Sequence, residues 1–202
     1  MLITGIKSKP VYTPLSADIR GRYHIMVGAG VGADPLLRVL DEMRAVAPQA
    51  LGNTRVLYQP ESVTADPRSR FNQAAVAEVR LFDGHQPLLE NFQALAAKSL
   101  MGTRLYVAGP ESFIGLVMKI ALQFNLNQDE IRAEECGSLA RRVYCIHCRS
   151  TTENVTTNIV RCSCNRWLLV RDHYSRRLAG YMGVMADAEA PGELPEVKQV
   201  FQ

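Results

Sequence analysis

Four cysteines in the last third of this 202-residue chain have the spacing of metal ligands. Cys145 and Cys148 are separated by two residues, Cys162 and Cys164 by one, and thirteen residues lie between the two pairs. Tight turns can aim two sulfurs at one point, and a β-hairpin would bring the two turns together around a tetrahedral ion. Because four cysteines leave no coordination position open for water, we expect one structural zinc.

The second cysteine pair is one residue shorter than a usual zinc-ribbon knuckle, which leaves other interpretations open. Iron could occupy a rubredoxin-like site, or His147 or His173 could replace one cysteine as a ligand. A further alternative is four reduced, buried cysteines without any metal. Cys136 lies outside the spacing, and we interpret it as a small buried hydrophobic residue rather than a redox group.

The cysteines lie in a segment whose composition predicts a small β module. Residues 137–185 contain β-branched residues and Thr-rich turns without a helical period. We therefore predict a zinc-ribbon-like module there, with Trp167, Leu168 and Leu169 as its small core. Residues 186–202 contain two prolines and four acidic residues but few apolar ones. They predict an extended tail, either loose or strapped over another surface.

Before the cysteines, predicted strands and helices alternate, which indicates an α/β domain over residues 1–136. YHIMVGAGVGADPLLRVL predicts a strand, a glycine turn and a helix, with Asp34 as the N-cap before Pro35. Further strands are predicted in TRVLYQP, AAVAEVRLFDG and TRLYVAGP and in a short run that ends at Glu135, and further helices over 87–100 and 113–124. Such alternation favours a parallel sheet covered by helices on both faces.

Glycines at two predicted strand ends are candidate cofactor-binding residues. Gly28, Gly30 and Gly32 follow the first strand, and Gly109 with Pro110 ends a later one. Backbone N–H groups in such loops, together with a helix N-terminus, can hold a phosphate. The spacing differs from the G-x-G-x-x-G dinucleotide fingerprint, and glycines also serve plain tight turns, so both interpretations stay open.

Charge and hydropathy exclude several classes of partner. A net charge of +3 and a pI near 8.6, with scattered basic residues, predict no nucleic-acid footprint. No apolar run reaches the ~20 residues of a membrane-spanning helix, and the N-terminus lacks the apolar core of a signal peptide. We expect neither nucleic acid nor a membrane as partner, and a cytoplasmic location in which thiols stay reduced.

A charged segment after the cysteines is a candidate interface with another protein. Arginine and tyrosine beside an apolar run are typical of interface anchors, and an electron-entry patch would have similar residues. The alternative is a charged turn that caps the metal module, with Asp172 paired locally. The candidate interface residues are Arg171, Asp172, His173, Tyr174, Arg176 and Arg177.

Two segments of the α/β domain resemble the pyridine-nucleotide-binding domain of ferredoxin reductases and phthalate dioxygenase reductases. VGAGVGADPLLRVL is similar to the GGxGxxP turn and helix of that family, and TRLYVAGPESF to its Cys-Gly-Pro turn. The resemblance implies a sheet of ferredoxin-reductase NAD-domain type. Ala108 replaces the cysteine that lies near the nicotinamide in that family, and Gln59-Pro60-Glu61 replaces its phosphate-gripping arginine motif. These departures argue against hydride chemistry and against NAD(P) binding by this chain.

Over nearly its whole length the chain resembles the small subunit of bacterial dimethylamine monooxygenase, the DmmA family. The resemblance rests on GAGVGADP, VAGPESF, YCIHCRSTTENVTTNIVRCSC and LLVRDHYSRRLAGYMGVMADAEAPGELP. It implies a multi-subunit, NAD(P)H-dependent oxidoreductase that converts dimethylamine to methylamine and formaldehyde. Haem, FMN and iron-sulfur chemistry would reside on partner subunits, with this chain as a non-catalytic auxiliary subunit. An iron-containing electron-transfer subunit and an NAD(P)H-binding component remain the alternatives.

Overall fold

The computed structural model describes residues 8–61, 67–124 and 126–202, which form two compact units. The first unit spans residues 12–137, and the second joins residues 138–202 to residues 8–11. The sequence placed residues 8–11 in the α/β domain. They lie with the second unit because the Ser8 N–H donates a hydrogen bond to the Asp172 carbonyl at 3.1 Å, and the Ser8 hydroxyl donates to the Tyr174 carbonyl.

The first unit is a five-stranded parallel sheet with helices between its strands, as the alternating pattern predicted. All four strand pairs are parallel, in the order β3-β2-β1-β4-β5. The elements are β1 Tyr23–Ala29, α1 Ala33–Val46, β2 Thr54–Gln59, α2 Arg68–Gln73, β3 Glu78–Leu81, α3 His85–Ala96, β4 Thr103–Gly109, α4 Glu111–Gln123 and β5 Ile131–Glu135.

The sheet of the first unit is covered on both faces, because the central strands are apolar on both sides. In β1, Met26 faces a core that also contains Leu36 of α1 and Phe71 of α2. Ile25 and Val27 face the opposite core, which α3 and α4 cover, with Phe92 and Phe113 among its members. Side chains of a strand alternate between its two faces, so a run such as Ile25-Met26-Val27 requires two hydrophobic layers.

Two local expectations for the first unit were wrong. Asp34 is not the N-cap of α1: a 3-10 turn over Gly30–Gly32 leads directly into the helix, and Gly32 occupies the cap position. The Asp34 carboxylate instead accepts a hydrogen bond from Arg70 at 2.9 Å. The short helix α2 was not predicted within its polar segment. Its anchor is Phe71, which is fully buried with its ring centroid 5.5 Å from that of Tyr58.

The second unit is a five-stranded β-sheet, which agrees with the predicted β module. Its strand order is β7-β6-β10-β9-β8, and the β6–β10 pair is parallel while the other pairs are antiparallel. The strands are β6 Arg141–Cys145, β7 Thr151–Val155, β8 Ile159–Arg161, β9 Trp167–Ser175 and β10 Gly180–Met185.

The core of the second unit is small and differs from the predicted one. Leu168 is fully buried beside two of the cysteines, but Leu169 is only partly buried and Trp167 is 37% exposed. Alternation along β9 explains the difference, since neighbours of a buried strand residue point to the other face. Tyr174 and Tyr181, with ring centroids 5.1 Å apart, belong to a second buried cluster that also contains three valines.

The acidic tail folds back onto its own module. The Val200 and Phe201 N–H groups donate to the Thr156 carbonyl, and the Lys198 N–H donates to the Asn158 side chain at 2.7 Å. The Arg141 guanidinium lies 3.8 Å from the centre of the Phe201 ring. Of the two predicted alternatives, the tail is therefore a strap, and its surface is the β7–β8 loop of this chain. Within the described residues, no helix combines the length and apolarity needed to cross a membrane.

Candidate functional site

The first cysteine pair lies on the turn between β6 and β7. Cys145 ends β6, its N–H donates to the Ser150 carbonyl at 2.9 Å, and its carbonyl accepts from the Arg149 N–H at 3.0 Å. Arg149 has a φ of +64°, the left-handed conformation that closes such a turn. The turn therefore brings Cys148 close to Cys145 at the edge of the sheet.

The second cysteine pair lies on an equivalent turn between β8 and β9. The Cys162 N–H donates to the Arg166 carbonyl and its own carbonyl accepts from the Asn165 N–H, both at 2.9 Å. Asn165 has a φ of +65° and closes this turn as Arg149 closes the first. The loop is one residue shorter than the first turn, which accounts for the C-x-C spacing of Cys162 and Cys164.

The four cysteine sulfurs form one cluster with the size of a tetrahedral metal site. All four Sγ atoms lie within 4.8 Å of one another. The Cys145–Cys164 distance is 3.9 Å and the Cys148–Cys162 distance is 3.5 Å. A metal–sulfur bond of about 2.3 Å in tetrahedral geometry places sulfurs about 3.8 Å apart. The cluster therefore fits a four-thiolate metal ion.

The histidine alternatives are not part of this cluster. Among the described residues, the group that could hold a metal consists of the four cysteines alone. His147 and His173 are both exposed. His147 lies in the first turn, but its side chain contributes to the wall of a neighbouring surface groove.

Ser150 is a neighbour of the sulfurs that the cysteine spacing did not reveal. Its hydroxyl lies 2.9 Å from the Cys148 Sγ and 3.3 Å from the Cys162 Sγ, so it can donate to a thiolate. Hydrogen bonds from Ser150 lower the pKa of the Cys148 thiol. The signal in the sequence is weak, because serine is common after any turn.

The two buried thiols have opposite electrostatic environments. Burial raises the pKa of the Cys145 thiol to about 11. Burial acts in the same direction on Cys162, but hydrogen bonds from the Cys164 backbone and the Ser150 hydroxyl outweigh it and lower that pKa to about 6. Metal ligation requires all four groups as thiolates, so a bound cation would offset the burial of Cys145.

Cys136 lies apart from the cluster, in the first unit. It is partly buried against the core, and its N–H donates to the Gly109 carbonyl at 3.0 Å. Burial, followed by the nearby Glu134 carboxylate, raises the pKa of its thiol. A raised pKa disfavours the reactive thiolate, which agrees with a packing role.

The predicted cofactor-binding glycines meet at the carboxyl end of the parallel sheet, where β1 and β4 diverge. Gly30 and Gly109 have φ values of +57° and +150°. A Cβ on Gly32 would lie 2.3 Å from the Ala108 carbonyl oxygen, and one on Gly28 would contact the Leu36 side chain at 2.7 Å. The glycines therefore allow close packing between neighbouring elements, which is the tight-turn interpretation.

Carboxylates lie beside both helix N-termini at this end of the sheet. Asp34 lies in the first turn of α1 and Glu111 in the first turn of α4, directly after Pro110. The Tyr58 hydroxyl donates to the Gly30 carbonyl, and burial raises its pKa to about 12, with Asp34 contributing in the same direction. A carboxylate therefore lies in the first turn of each of these helices, where the helix dipole favours negative charge.

The predicted interface residues divide into buried and exposed groups. Tyr174 is buried against Tyr181, so it cannot be the surface anchor that the sequence suggested. Asp172 pairs locally, as the alternative interpretation held, and accepts from Arg141 at 2.8 Å. Arg171 is partly buried and lines the surface groove. The exposed residues are Asp172, His173, Arg176 and Arg177.

Comparisons with solved structures give weak similarities. An intact type IV self-sufficient cytochrome P450 monooxygenase matches 68% of this chain and 19% of its own, at 19% identity and a TM-score of 0.49. A phthalate dioxygenase reductase matches 68% of this chain and 45% of its own, at 18% identity and a TM-score of 0.47.

Comparisons with sequences are more specific. A heme-dependent oxidative N-demethylase delta subunit of Ectopseudomonas mendocina (strain ymp) is 35% identical over 92 residues, which is 45% of this chain. The match spans about half of that relative, 53% of its length. Residues 4–131 match the N-terminal domain of the dimethylamine monooxygenase subunit DmmA-like proteins, and residues 142–184 match their C-terminal domain. The chain therefore belongs to the dimethylamine monooxygenase subunit DmmA-like family.

Proposed function

We propose that this chain is an auxiliary subunit of a multi-subunit oxidative N-demethylase and carries one structural zinc. The family match over both parts of the chain is the observation that carries the proposal. The family name supports dimethylamine as substrate, with methylamine and formaldehyde as products. A relative described as a delta subunit supports assembly with other chains.

The zinc ligands in this proposal are Cys145, Cys148, Cys162 and Cys164. A zinc ion held by four thiolates supplies a cross-link between the two turns rather than a reactive site, because no coordination position remains open. The small buried clusters of the second unit support this role, since thin cores gain stability from a metal. A reducing compartment such as the cytoplasm suits such thiolates.

The redox chemistry is assigned to partner subunits, which would contain haem, FMN and iron-sulfur centres. Close backbone packing at the carboxyl end of the sheet supports the assignment of the redox cofactors to other subunits. There, Gly32 packs directly against the Ala108 carbonyl. We expect NADH and NADPH to give no heat of binding with the purified chain in a calorimetric titration. Saturable heat of binding with either nucleotide would instead identify the chain as an NAD(P)H-binding component.

The metal assignment is tested by elemental analysis of the purified chain. We expect one equivalent of zinc, and Cys162→Ser is expected to lose it because the thiolate set becomes incomplete. Cys136→Ser is the matched control, since Cys136 lies outside the cluster, and it is expected to retain the metal. Full zinc occupancy in Cys162→Ser would contradict the four-cysteine assignment.

An electron-transfer subunit is the second candidate, because four thiolates at these distances also suit iron. Visible absorption separates the two, since iron–thiolate sites are coloured and zinc sites are not. A coloured chain with one equivalent of iron, bleached on reduction, would favour the electron carrier.

The proposed role in the complex is tested by co-expression with the partner subunits. Omitting this chain is expected to reduce the yield of assembled complex and therefore the formaldehyde released from dimethylamine. Full assembly and full activity without the chain would contradict the auxiliary role.

A further inference from the structure

The two cysteine-bearing turns carry positive charge that no described residue of the chain pairs. Segments 145–150 and 161–167 contain three arginines and one histidine but neither aspartate nor glutamate. Arg149, Arg161 and Arg166 are all exposed. Within the described residues none of these guanidiniums has an ion pair, and the one ring contact joins Arg161 to Trp167 at 5.9 Å.

Two other arginines of the same unit are paired. Arg141 donates to Asp172 at 2.8 Å and lies over the Tyr181 ring, and Arg142 donates to Glu153 at 2.7 Å. Both have side chains that are less than one-fifth exposed. The turn arginines differ from these two, because they are exposed and have no ion pair among the described residues.

Neutralisation of the thiolates does not explain the turn arginines either. Among the described residues, the side-chain donor that lies close to two of the sulfurs is the Ser150 hydroxyl, and no guanidinium hydrogen-bonds a sulfur. The arginines point their charge to solvent instead. A charge that has no partner among the described residues is available to another molecule.

Apolar side chains lie next to this charge. Ile146 is 46% exposed and Trp167 is 37% exposed, one from each turn. A groove of about 560 Å³ continues from Ile146, and its apolar wall includes Leu169, Val184 and Leu194. Tryptophan and arginine around an apolar centre are the residues enriched in protein–protein hot spots.

We propose that these turns form a docking surface, the knuckle face, for an acidic protein surface on another subunit. The knuckle face is defined by Ile146, His147, Arg149, Arg161, Arg166 and Trp167. The proposal rests on the proposed function, because it requires a partner subunit. Carboxylates of that partner pair with the arginines while an apolar side chain contacts Trp167. Protein is favoured over nucleic acid because the apolar groove adjoins the charge, and the net charge of the chain is only +3.

The test removes the three charges together in the full-length chain. In the variant with Arg149→Ser, Arg161→Ser and Arg166→Ser, we expect the affinity for the purified partner subunits to fall about tenfold or more. The salt dependence of binding should weaken as well, since rim charges steer association. Trp167→Ala should weaken binding without changing that salt dependence. Metal content by elemental analysis should stay at the wild-type value in both variants.

The matched control removes the same charge from the first unit. Arg22, Arg44 and Lys98 are exposed there, and their replacement by serine should leave the affinity unchanged. Equal losses in both triple variants would assign the effect to net charge and overturn the knuckle face. An unchanged affinity in the knuckle variant would overturn it too.

Two further results of the binding experiments lead to different conclusions. If the wild-type chain binds none of the partner subunits, the proposed function fails, and the knuckle face fails with it. If the wild-type chain binds a short DNA duplex or a single-stranded RNA at physiological salt, and the knuckle variant does not, the surface recognises nucleic acid and the acidic protein partner is overturned.

Discussion

At the scale of single residues, Asp18 is a buried charge with three arginine partners, outside the proposed metal site. Its side chain is 2% exposed, and its carboxylate accepts from Arg20 at 2.8 Å and from Arg104 and Arg132 at 3.1 Å each. The Asp18 N–H donates to the Tyr106 hydroxyl at 2.9 Å. A buried carboxylate is tolerated only when it is paired in this way, so Asp18 joins the loop before β1 to β4 and β5.

Replacing this carboxylate should make the chain less stable and less sensitive to acid. Hydrogen bonds from Arg20, then from Arg132 and Arg104, outweigh burial and hold the pKa of Asp18 well below its usual range. A folded-state pKa below the unfolded one stabilises the fold above about pH 4, and that stabilisation is lost as the pH falls. We expect Asp18→Asn to lower the free energy of unfolding at neutral pH by about 2–4 kcal/mol.

Urea denaturation at several pH values measures both effects. The loss of stability between about pH 5 and pH 2 should be smaller in Asp18→Asn than in the wild-type chain, because the titrating group is absent. Asp41→Asn is the control, since the Asp41 side chain is 70% exposed and should change stability by less than about 0.5 kcal/mol. Parallel pH profiles for wild type and Asp18→Asn would contradict the network.

Some of these residue clusters could be predicted from the sequence, and others could not. The clustering of the cysteines could be predicted, because Cys145 and Cys148 are joined by a local turn. The Asp18 network could not, because Arg104 and Arg132 lie 86 and 114 residues away along the chain. Ser150 was missed for another reason: serine after a turn has many uses, and only the geometry shows its hydroxyl beside the sulfurs.

At the scale of elements, the turn between β1 and α1 depends on a close backbone approach. A Cβ on Gly32 would lie 2.3 Å from the Ala108 carbonyl oxygen, which belongs to backbone and cannot move aside as a side chain would. Gly32→Ala should therefore lower the free energy of unfolding by about 1–3 kcal/mol. Gly52→Ala is the matched control, because a Cβ there meets open space. Thermal unfolding should distinguish them, and equal stabilities would show that the turn can relax.

The tail is a second element whose contribution can be measured. The Arg141 guanidinium lies 3.8 Å from the centre of the Phe201 ring and 3.9 Å from the centre of the Tyr181 ring. Phe201→Ala should lower the free energy of unfolding by about 1–2 kcal/mol, from lost ring burial and a lost cation–π contact. Val200→Ala is the control, because Val200 is 49% exposed. An undiminished melting temperature in Phe201→Ala would show that the tail is only loosely held.

Periodicity predicted the elements of the first unit better than those of the second. A buried parallel sheet gives continuous apolar strands such as β1 and β4, which a sequence shows directly. The helix α2 was missed because it is six residues long and carries a single buried anchor, Phe71. The parallel β6–β10 pair was missed because such pairing is non-local, and the strands themselves carry no signal of their partners.

At the scale of the whole molecule, the two units have separate hydrophobic cores of unequal size. Among the described residues, the first unit has two clusters of fifteen buried residues each, whereas the two clusters of the second contain five and three. Burial of apolar surface is the main stabilising contribution to folding, so the first unit should fold without any metal. The second unit has too small a core for this, and two of its buried side chains are metal-site cysteines.

Removal of the metal should therefore unfold the second unit alone. With a strong chelator, amide hydrogen exchange in β6–β10 should rise towards the unfolded rate, because the thiolate cross-link contributes folding free energy. Protection in β1–β5 should remain, since the predicted ligands all lie outside that sheet. Restoring zinc should restore protection, and Cys136→Ser should behave like the wild-type chain. Loss of exchange protection in both sheets would show that the two units unfold together as one cooperative fold. Retained protection in both sheets would show that the second unit folds without the metal.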